Sequence, residues 1–311
     1  MKILITGANG FIGSYLAYFF LRKGYDVTAS SRQFHSSTQA LLKHAQLIEL
    51  DVLNTEQLHN EAVKADVIIH TATANDIISK TGIKGIELSA IGTKNILDLA
   101  VRNNIKKCIV FSTLQVYGTE LSGEISETSA LHFSNDYGIN HSMAEMYAEM
   151  YSRLNKVKCV SVRPSNVYGP ILTEAFNRWS LVPGCFCKEA MEHGTITIKS
   201  SGKQIRNFVH LENLSRAVEC IIKQFPDSYE CYNLASSQYL MMTEAAGVTK
   251  AVYEKEFGRP LQVKIEGTEP AVPNYFSISL NKLQGIGFRE DENSSLQATI
   301  IDIFKYLKSK Q

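Results

Sequence analysis

The chain predicts an α/β fold, a doubly wound parallel sheet with a smaller C-terminal lobe, on three observations. Short apolar runs alternate with amphipathic stretches through the first half, the pattern of strand and helix in repeated βαβ units. Several of those runs are apolar at every position, as strands are when helices cover both faces of a sheet. Three glycines, Gly7, Gly10 and Gly13, stand between the first run and the first amphipathic stretch.

Taken in order, strands are expected at 2–6, 26–29, 47–50, 67–70, 108–111 and 159–162, with helices at 14–23, 55–64, 87–103 and 137–155. The strands are short and β-branched or aliphatic, while the helices repeat apolar residues three and four apart. The last helix carries apolar side chains on more than one side, among them Met143, Met146, Met150, Tyr151 and Leu154. One face packs on the sheet and the surplus predicts a partner helix. A homodimer through the helices near 87–103 and 137–155 is therefore expected. Beyond Val162 the periodicity loosens, and Pro164, Pro170, Pro183, Pro260, Pro270 and Pro273 punctuate loops and short helices. Residues 1–165 are expected to form the sheet domain, with 206–235 returning to it, and 166–205 and 236–311 to build the smaller lobe over its carboxyl edge.

Composition excludes several function classes. Lys and Arg number 32 against 31 Asp and Glu, so no global field favours nucleic acid or an anionic membrane. No run of apolar residues is long enough to span a bilayer, and the chain opens directly in a strand rather than a leader. Cys108 and Cys159 lie in buried-strand runs, and Cys185 and Cys187 lack zinc or redox spacing, so no metal is expected. A reducing cytoplasm is the expected location.

Gly7, Gly10 and Gly13 have the spacing of a turn that lets backbone approach a pyrophosphate and lets helix pack close to strand. The phosphates rest on free N–H groups at the helix N-terminus. The turn Thr6-Gly7-Ala8-Asn9-Gly10-Phe11-Ile12-Gly13 therefore predicts a Rossmann dinucleotide site. A carboxylate at the end of the second strand grips the ribose 2′-hydroxyl of NAD. Here Ser30, Ser31 and Arg32 stand in that place. Hydroxyls and a guanidinium suit a 2′-phosphate, so NADP is expected, with NAD possible.

These residues, with others along nearly the whole chain, resemble the extended short-chain dehydrogenase/reductases that act on nucleotide sugars. The glycine turn is similar to the family's opening fingerprint, and Leu50-Asp51-Val52 to the acid beside the adenine. Val67 to Ala72 resembles its fourth strand, Phe111 to Gly118 its Ser/Thr segment, and Arg163 to Pro170 and Arg206 to His210 two further signatures. The resemblance implies cofactor contacts from Gly7, Asn9, Gly10, Phe11, Ile12, Gly13, Ser31, Arg32, Asp51, Val52, Ala72, Tyr137, His141 and Pro164. It also implies that Tyr137 is the acid/base on a sugar hydroxyl or carbonyl oxygen, and that Thr113 bonds the same oxygen. Asn166 and Arg206 stand where the family contacts the nucleotide sugar.

Two positions depart from the family. His141 occupies the place of the Lys in Tyr-x-x-x-Lys, and Ser89 that of an Asn. A phenol normally titrates near 10 and needs a cation to act as a base near neutrality. His lies on the same helix face as Tyr137 but loses its charge near pH 6.5. Three readings follow: His141 replaces Lys with pH-shifted activity, a reductase needs little help because neutral Tyr is the donor, or cofactor binds without turnover. Leu114 and Gln115 follow Thr113 where the family's 4,6-dehydratases carry Asp-Glu, so dehydration is not expected. Reduction of a 4-keto group on a nucleotide-linked 6-deoxyhexose is the leading expectation. A 4-epimerase and a non-catalytic dinucleotide-binding regulator are the alternatives. His70 and His210 are expected to hold local structure, and Trp179, Cys185 and Cys187 to line the sugar pocket.

Overall fold

The computed structural model describes residues 1–268, 275–291 and 293–310; Pro270 and Pro273 lie outside them. Seven parallel strands form the central sheet, in the order Glu230–Leu234, Lys158–Pro164, Lys107–Phe111, Val67–His70, Lys2–Thr6, Asp26–Ser31 and Gln46–Glu49. The strand order reverses beside Lys2–Thr6, and the crevice at such a reversal is where ligands of doubly wound sheets bind.

Burial of both faces explains why several of the strands are apolar throughout. Ile3 and Ile5 face one core with Val27, Ile69, Ile109 and Val160. Leu4 faces a second core with Ile68, Cys108, Val110 and Cys159. Helices Phe11–Arg22 and Leu211–Lys223 cover the first face, through Leu16, Phe20, Leu214 and Ile221. Helices Gly92–Arg102 and Asp136–Arg153 cover the second, through Ile96, Leu99, Ala144 and Ala148.

The six strands legible in the sequence are present, and Glu230–Leu234 adds the seventh. The first helix begins at Phe11, not 14, because Gly10 occupies its N-terminal cap. The stretch 55–64 is helical only as Thr55–Asn60; Glu61 is extended, and the backbone N–H of Val63 donates to Asn103 Oδ1 at 3.0 Å. The stretch 87–103 is a widened π-type turn, Glu87–Ile91, followed by helix Gly92–Arg102. Short helices Ser36–Leu41, Asp76–Ser79 and Ile83–Ile86 have too few residues to show a period.

A three-stranded sheet of Tyr239–Met241, Ile205–His210 and Asn166–Tyr168 stands beside the main one. Helices Gly184–His193, Met242–Phe257 and Leu296–Lys308 enclose a third core of Phe186, Cys187, Ile196, Phe208, Tyr253 and Phe304.

Candidate active site

The glycine turn is a cradle that tolerates no side chains. Gly7 has φ of 72°, and a Cβ there meets the backbone N of Ala72 at 2.9 Å. A Cβ on Gly13 lies 2.4 Å from the carbonyl oxygen of Gly7, so helix and strand approach as a diphosphate site requires. No side chain caps the helix at Gly10, leaving its first N–H groups, those of Phe11, Ile12 and Gly13, for an anion. Asn9 turns its side chain the other way. Its Oδ1 accepts from the backbone N–H of His35 at 3.2 Å and from Thr38 Oγ1 at 2.7 Å, which ties the loop after the second strand to the turn. In that loop Arg32 is exposed, with no ion pair among the described residues, and Ser31 is half-buried.

On the other side, Asp51 holds its own turn by accepting from the Leu53 N–H at 3.0 Å, and Val52 is buried against Gly92. Ala72 ends the segment after Val67–His70, and Pro164 is buried at the end of Lys158–Pro164. An uncapped helix end and a cradle closed to any Cβ fit the diphosphate of a dinucleotide.

Thr113 follows the fifth strand and caps the short turn Leu114–Tyr117, its Oγ1 accepting from the Gln115 N–H at 3.2 Å. Asn135 caps the helix Asp136–Arg153 by accepting from the Gly138 N–H at 2.9 Å, which sets Tyr137 in the first turn beside Thr113. Burial pushes the Tyr137 phenol above its usual range; a hydrogen bond with Thr113 and the charge of Arg178 oppose this, while Asp76 adds to it.

His141 is buried with its ring edge-on to Tyr137, centroids 4.5 Å apart. Its Nδ1 faces the carbonyl oxygen of Phe111 at 3.2 Å, and its Nε2 that of Ala74 at 3.0 Å. Both ring nitrogens are aimed at main-chain carbonyls, so whichever carries the proton donates there and not to a cofactor ribose as the resemblance implied. Burial is the largest influence on the ring and lowers its pKa; the two carbonyls and Glu145 pull the other way. Ser89, fully buried, accepts at Oγ from the Ala74 N–H at 3.0 Å. His141 and Ser89 thus both meet one residue, Ala74.

A cavity of about 750 Å³ opens from Thr113 toward the smaller sheet, a size suited to a ligand of several rings. Asn166 and Arg206 line it. Asn166 Nδ2 donates to the carbonyl of Asn207 at 2.9 Å, and Arg206 is exposed to the cavity. Leu114 and Gln115 also line it and bring no ionisable group beside Thr113. Trp179, Cys185 and Cys187, expected to line the sugar pocket, instead pack in the third core, and Ser180, Leu181 and Val182 take their place. The C-terminal core needed apolar volume there, which spacing alone does not reveal.

His70 is a buried bridge between Thr6 Oγ1 at 2.7 Å and Thr93 Oγ1 at 3.1 Å, and burial lowers its pKa to about 3. His210 caps helix Leu211–Lys223, accepting from the Glu212 N–H at 3.0 Å. Sequence reasoning missed Arg178, which pairs with Asp76 beside the tyrosine. No local signal marks it: its partner lies 102 positions away.

A family model described as the NAD dependent epimerase/dehydratase family matches residues 3–235. A dTDP-D-glucose 4,6-dehydratase of Dictyostelium discoideum is 28% identical over 72% of this chain and 56% of that protein. A dTDP-4-dehydro-6-deoxy-D-allose reductase of Streptomyces sp is 26% identical, covering 86% of this chain and 85% of its own. The crystal structure of a UDP-glucuronic acid 4-epimerase from Bacillus cereus, in complex with UDP-glucuronic acid and NAD, covers 100% of both chains with a TM-score of 0.81 and 22% identity.

Proposed function

The chain belongs to the NAD dependent epimerase/dehydratase family, and on that premise we propose that it reduces the 4-keto group of a nucleotide-linked 6-deoxyhexose with NADPH. The observation that carries this reading is a half-buried Tyr137 whose phenol is held above its usual range beside Thr113, with Thr113 opening onto a large cavity whose neighbouring positions, Leu114 and Gln115, cannot ionise. A resting phenol is already the proton donor that reduction needs, whereas oxidation or epimerisation must first remove its proton. The similarity to a 4-keto-sugar reductase over most of both chains agrees with this direction.

The glycine turn, Asp51, Val52, Ala72 and Pro164 would hold the dinucleotide, with Ser31 and Arg32 on its 2′-phosphate. The bound dinucleotide supplies the hydride. Arg206 and Asn166 hold the diphosphate and sugar, an Arg–phosphate pair being the strongest polar contact on offer. Thr113 donates to the ketone oxygen and fixes it against Tyr137. Tyr137 gives that oxygen its proton as negative charge develops there, leaving a phenolate that solvent reprotonates. His141 acts by position, holding Ala74 and the Tyr137 ring.

The described residues of 166–205 and 236–310 form the substrate lobe, and two copies associate through the helices Gly92–Arg102 and Asp136–Arg153. Mixing the full chain and NADPH with a panel of nucleoside-diphosphate 4-keto-6-deoxyhexoses tests the reading. Loss of NADPH absorbance with at least one member is expected. Tight NADPH binding without oxidation across the panel overturns the enzyme reading in favour of a dinucleotide-binding regulator.

A further inference from the structure

The family's Tyr is served by a permanent cation one helical turn away, and here that place holds a histidine whose nitrogens are committed to Phe111 and Ala74. Either ring N–H points at one of these carbonyls rather than at the Tyr137 oxygen, and burial holds the ring below its ordinary range. Charge on the Tyr137 oxygen must therefore be met from elsewhere.

Tyr137 meets Thr113 from the loop after the fifth strand and His141 on its own helix, and the charges that act on it are those of Asp76, in the helix Asp76–Ser79, and Arg178, in the segment before Gly184–His193. Of these only Arg178 is a permanent cation. Its Nη2 pairs with Asp76 Oδ1, while its Nη1 is buried and finds no partner among the described residues. A guanidinium with a buried, unused donor has the capacity to answer a charge that appears only during turnover.

The departures from the family build the mount for this pair. Ser89 takes the N–H of Ala74 and His141 its carbonyl, so the Ala74 backbone is fixed on both sides. Asn75 then caps the next helix, accepting from the N–H groups of Ile77 at 3.0 Å and Ile78 at 2.9 Å, which sets Asp76 in its first turn. Arg178 is steadied from its own side. Phe176 lies edge-on to Phe11 of the glycine turn, centroids 5.1 Å apart, and Trp179 lies edge-on to Phe176 at 4.9 Å.

We propose that Arg178, mounted on Asp76, is the positioning residue that supplies the positive charge for Tyr137 in place of the residue at 141. The assignment rests on Tyr137 being the proton donor. The sign is consistent, since the charge of Arg178 favours the phenolate and that of Asp76 opposes it.

The test is a titration of the full chain without cofactor or substrate. A fluorinated tyrosine at position 137, intrinsically more acidic than tyrosine, is followed by ¹⁹F NMR. Arg178→Gln is expected to raise the midpoint by about one unit, a tenfold change in the ionisation constant. Arg178→Lys restores most of that change, and Asp76→Asn moves the midpoint down. Opposite shifts from the two ends of one ion pair are not produced by a merely structural role, and a fold check by circular dichroism accompanies each variant. An unchanged midpoint in folded Arg178→Gln, or shifts of one sign in both Arg178→Gln and Asp76→Asn, overturns the proposal. Because no turnover is involved, the midpoints stand or fall separately from the outcome of the NADPH panel.

Discussion

Desolvation holds the half-buried Tyr137 phenol above its usual range, and at the scale of single residues this suits it to donate a proton. Removing its hydroxyl in Tyr137→Phe takes away the proton donor and leaves the cavity intact. The expected result is a fall in kcat of about 10²- to 10⁴-fold with KM little changed, read by steady-state NADPH oxidation. Arg32 is exposed and unpaired among the described residues. On the proposed role, Arg32→Ala removes a charge-assisted contact of about 1.5–3 kcal/mol, and NADPH affinity is expected to fall by about 10- to 100-fold while NADH affinity holds; fluorescence titration of both cofactors checks it. Equal loss for both would place Arg32 away from the 2′-phosphate. Tyr137, Thr113 and the glycines were legible because their chemistry lies in short, fixed spacings. Arg178 was not, because an ion pair closed across 102 positions leaves no local pattern. His141 was legible as a departure, but its occupation by two carbonyls was not.

Between elements, the sheet and the helix Asp136–Arg153 are locked by a buried charge network. Arg163 donates to both oxygens of Glu145, from Nε at 2.9 Å and Nη2 at 2.6 Å, and from Nη1 to the Tyr117 hydroxyl at 2.6 Å. Tyr117 in turn donates to Asn233 Oδ1 at 2.9 Å, tying in the seventh strand. Glu145→Ala leaves a buried guanidinium without its partner, and a loss of about 3–5 kcal/mol in denaturant unfolding is expected. A loss under about 1 kcal/mol would mean that water replaces the carboxylate. The same helix exposes Met146 at 60%, Met150 at 42% and, just past its end, Leu154 at 57%, and the neighbouring helix exposes Val101 at 42%. If two copies meet there, Met146→Glu with Met150→Glu halves the mass seen by light scattering. An unchanged mass in the variant contradicts that interface. The surplus of apolar residues on this helix was visible from spacing, whereas the π-type turn at Glu87–Ile91 was not. Nothing in the period of that stretch records that Ser89 must reach the Ala74 N–H.

For the whole molecule, buried histidines set the response to acid. Burial lowers His70 to about 3 and His210 to about 4, and lowers His141 as well. An unfolded His takes up a proton near 6.5 while the folded one does not, so stability is complete above that pH and is lost as pH falls through it. Each such group removes up to about 1.4 kcal/mol per pH unit between the two values. The unfolding free energy is therefore expected to fall between about pH 6.5 and pH 4, and His70→Gln to flatten that slope. A flat profile contradicts neutral burial. Across the whole chain, the doubly wound sheet was legible because continuous apolar strands and a glycine turn are local signals, while the packing of the smaller lobe depends on long-range volume, as Trp179 and Cys187 show. The reductive chemistry proposed for that framework is tested most directly with NADPH carrying deuterium at the transferable C4 position, a 4-keto-6-deoxyhexose nucleotide and the full chain. One deuterium at sugar C4 for each NADPH consumed is predicted; NADPH left unconsumed, or consumed with no deuterium appearing at sugar C4, would contradict it.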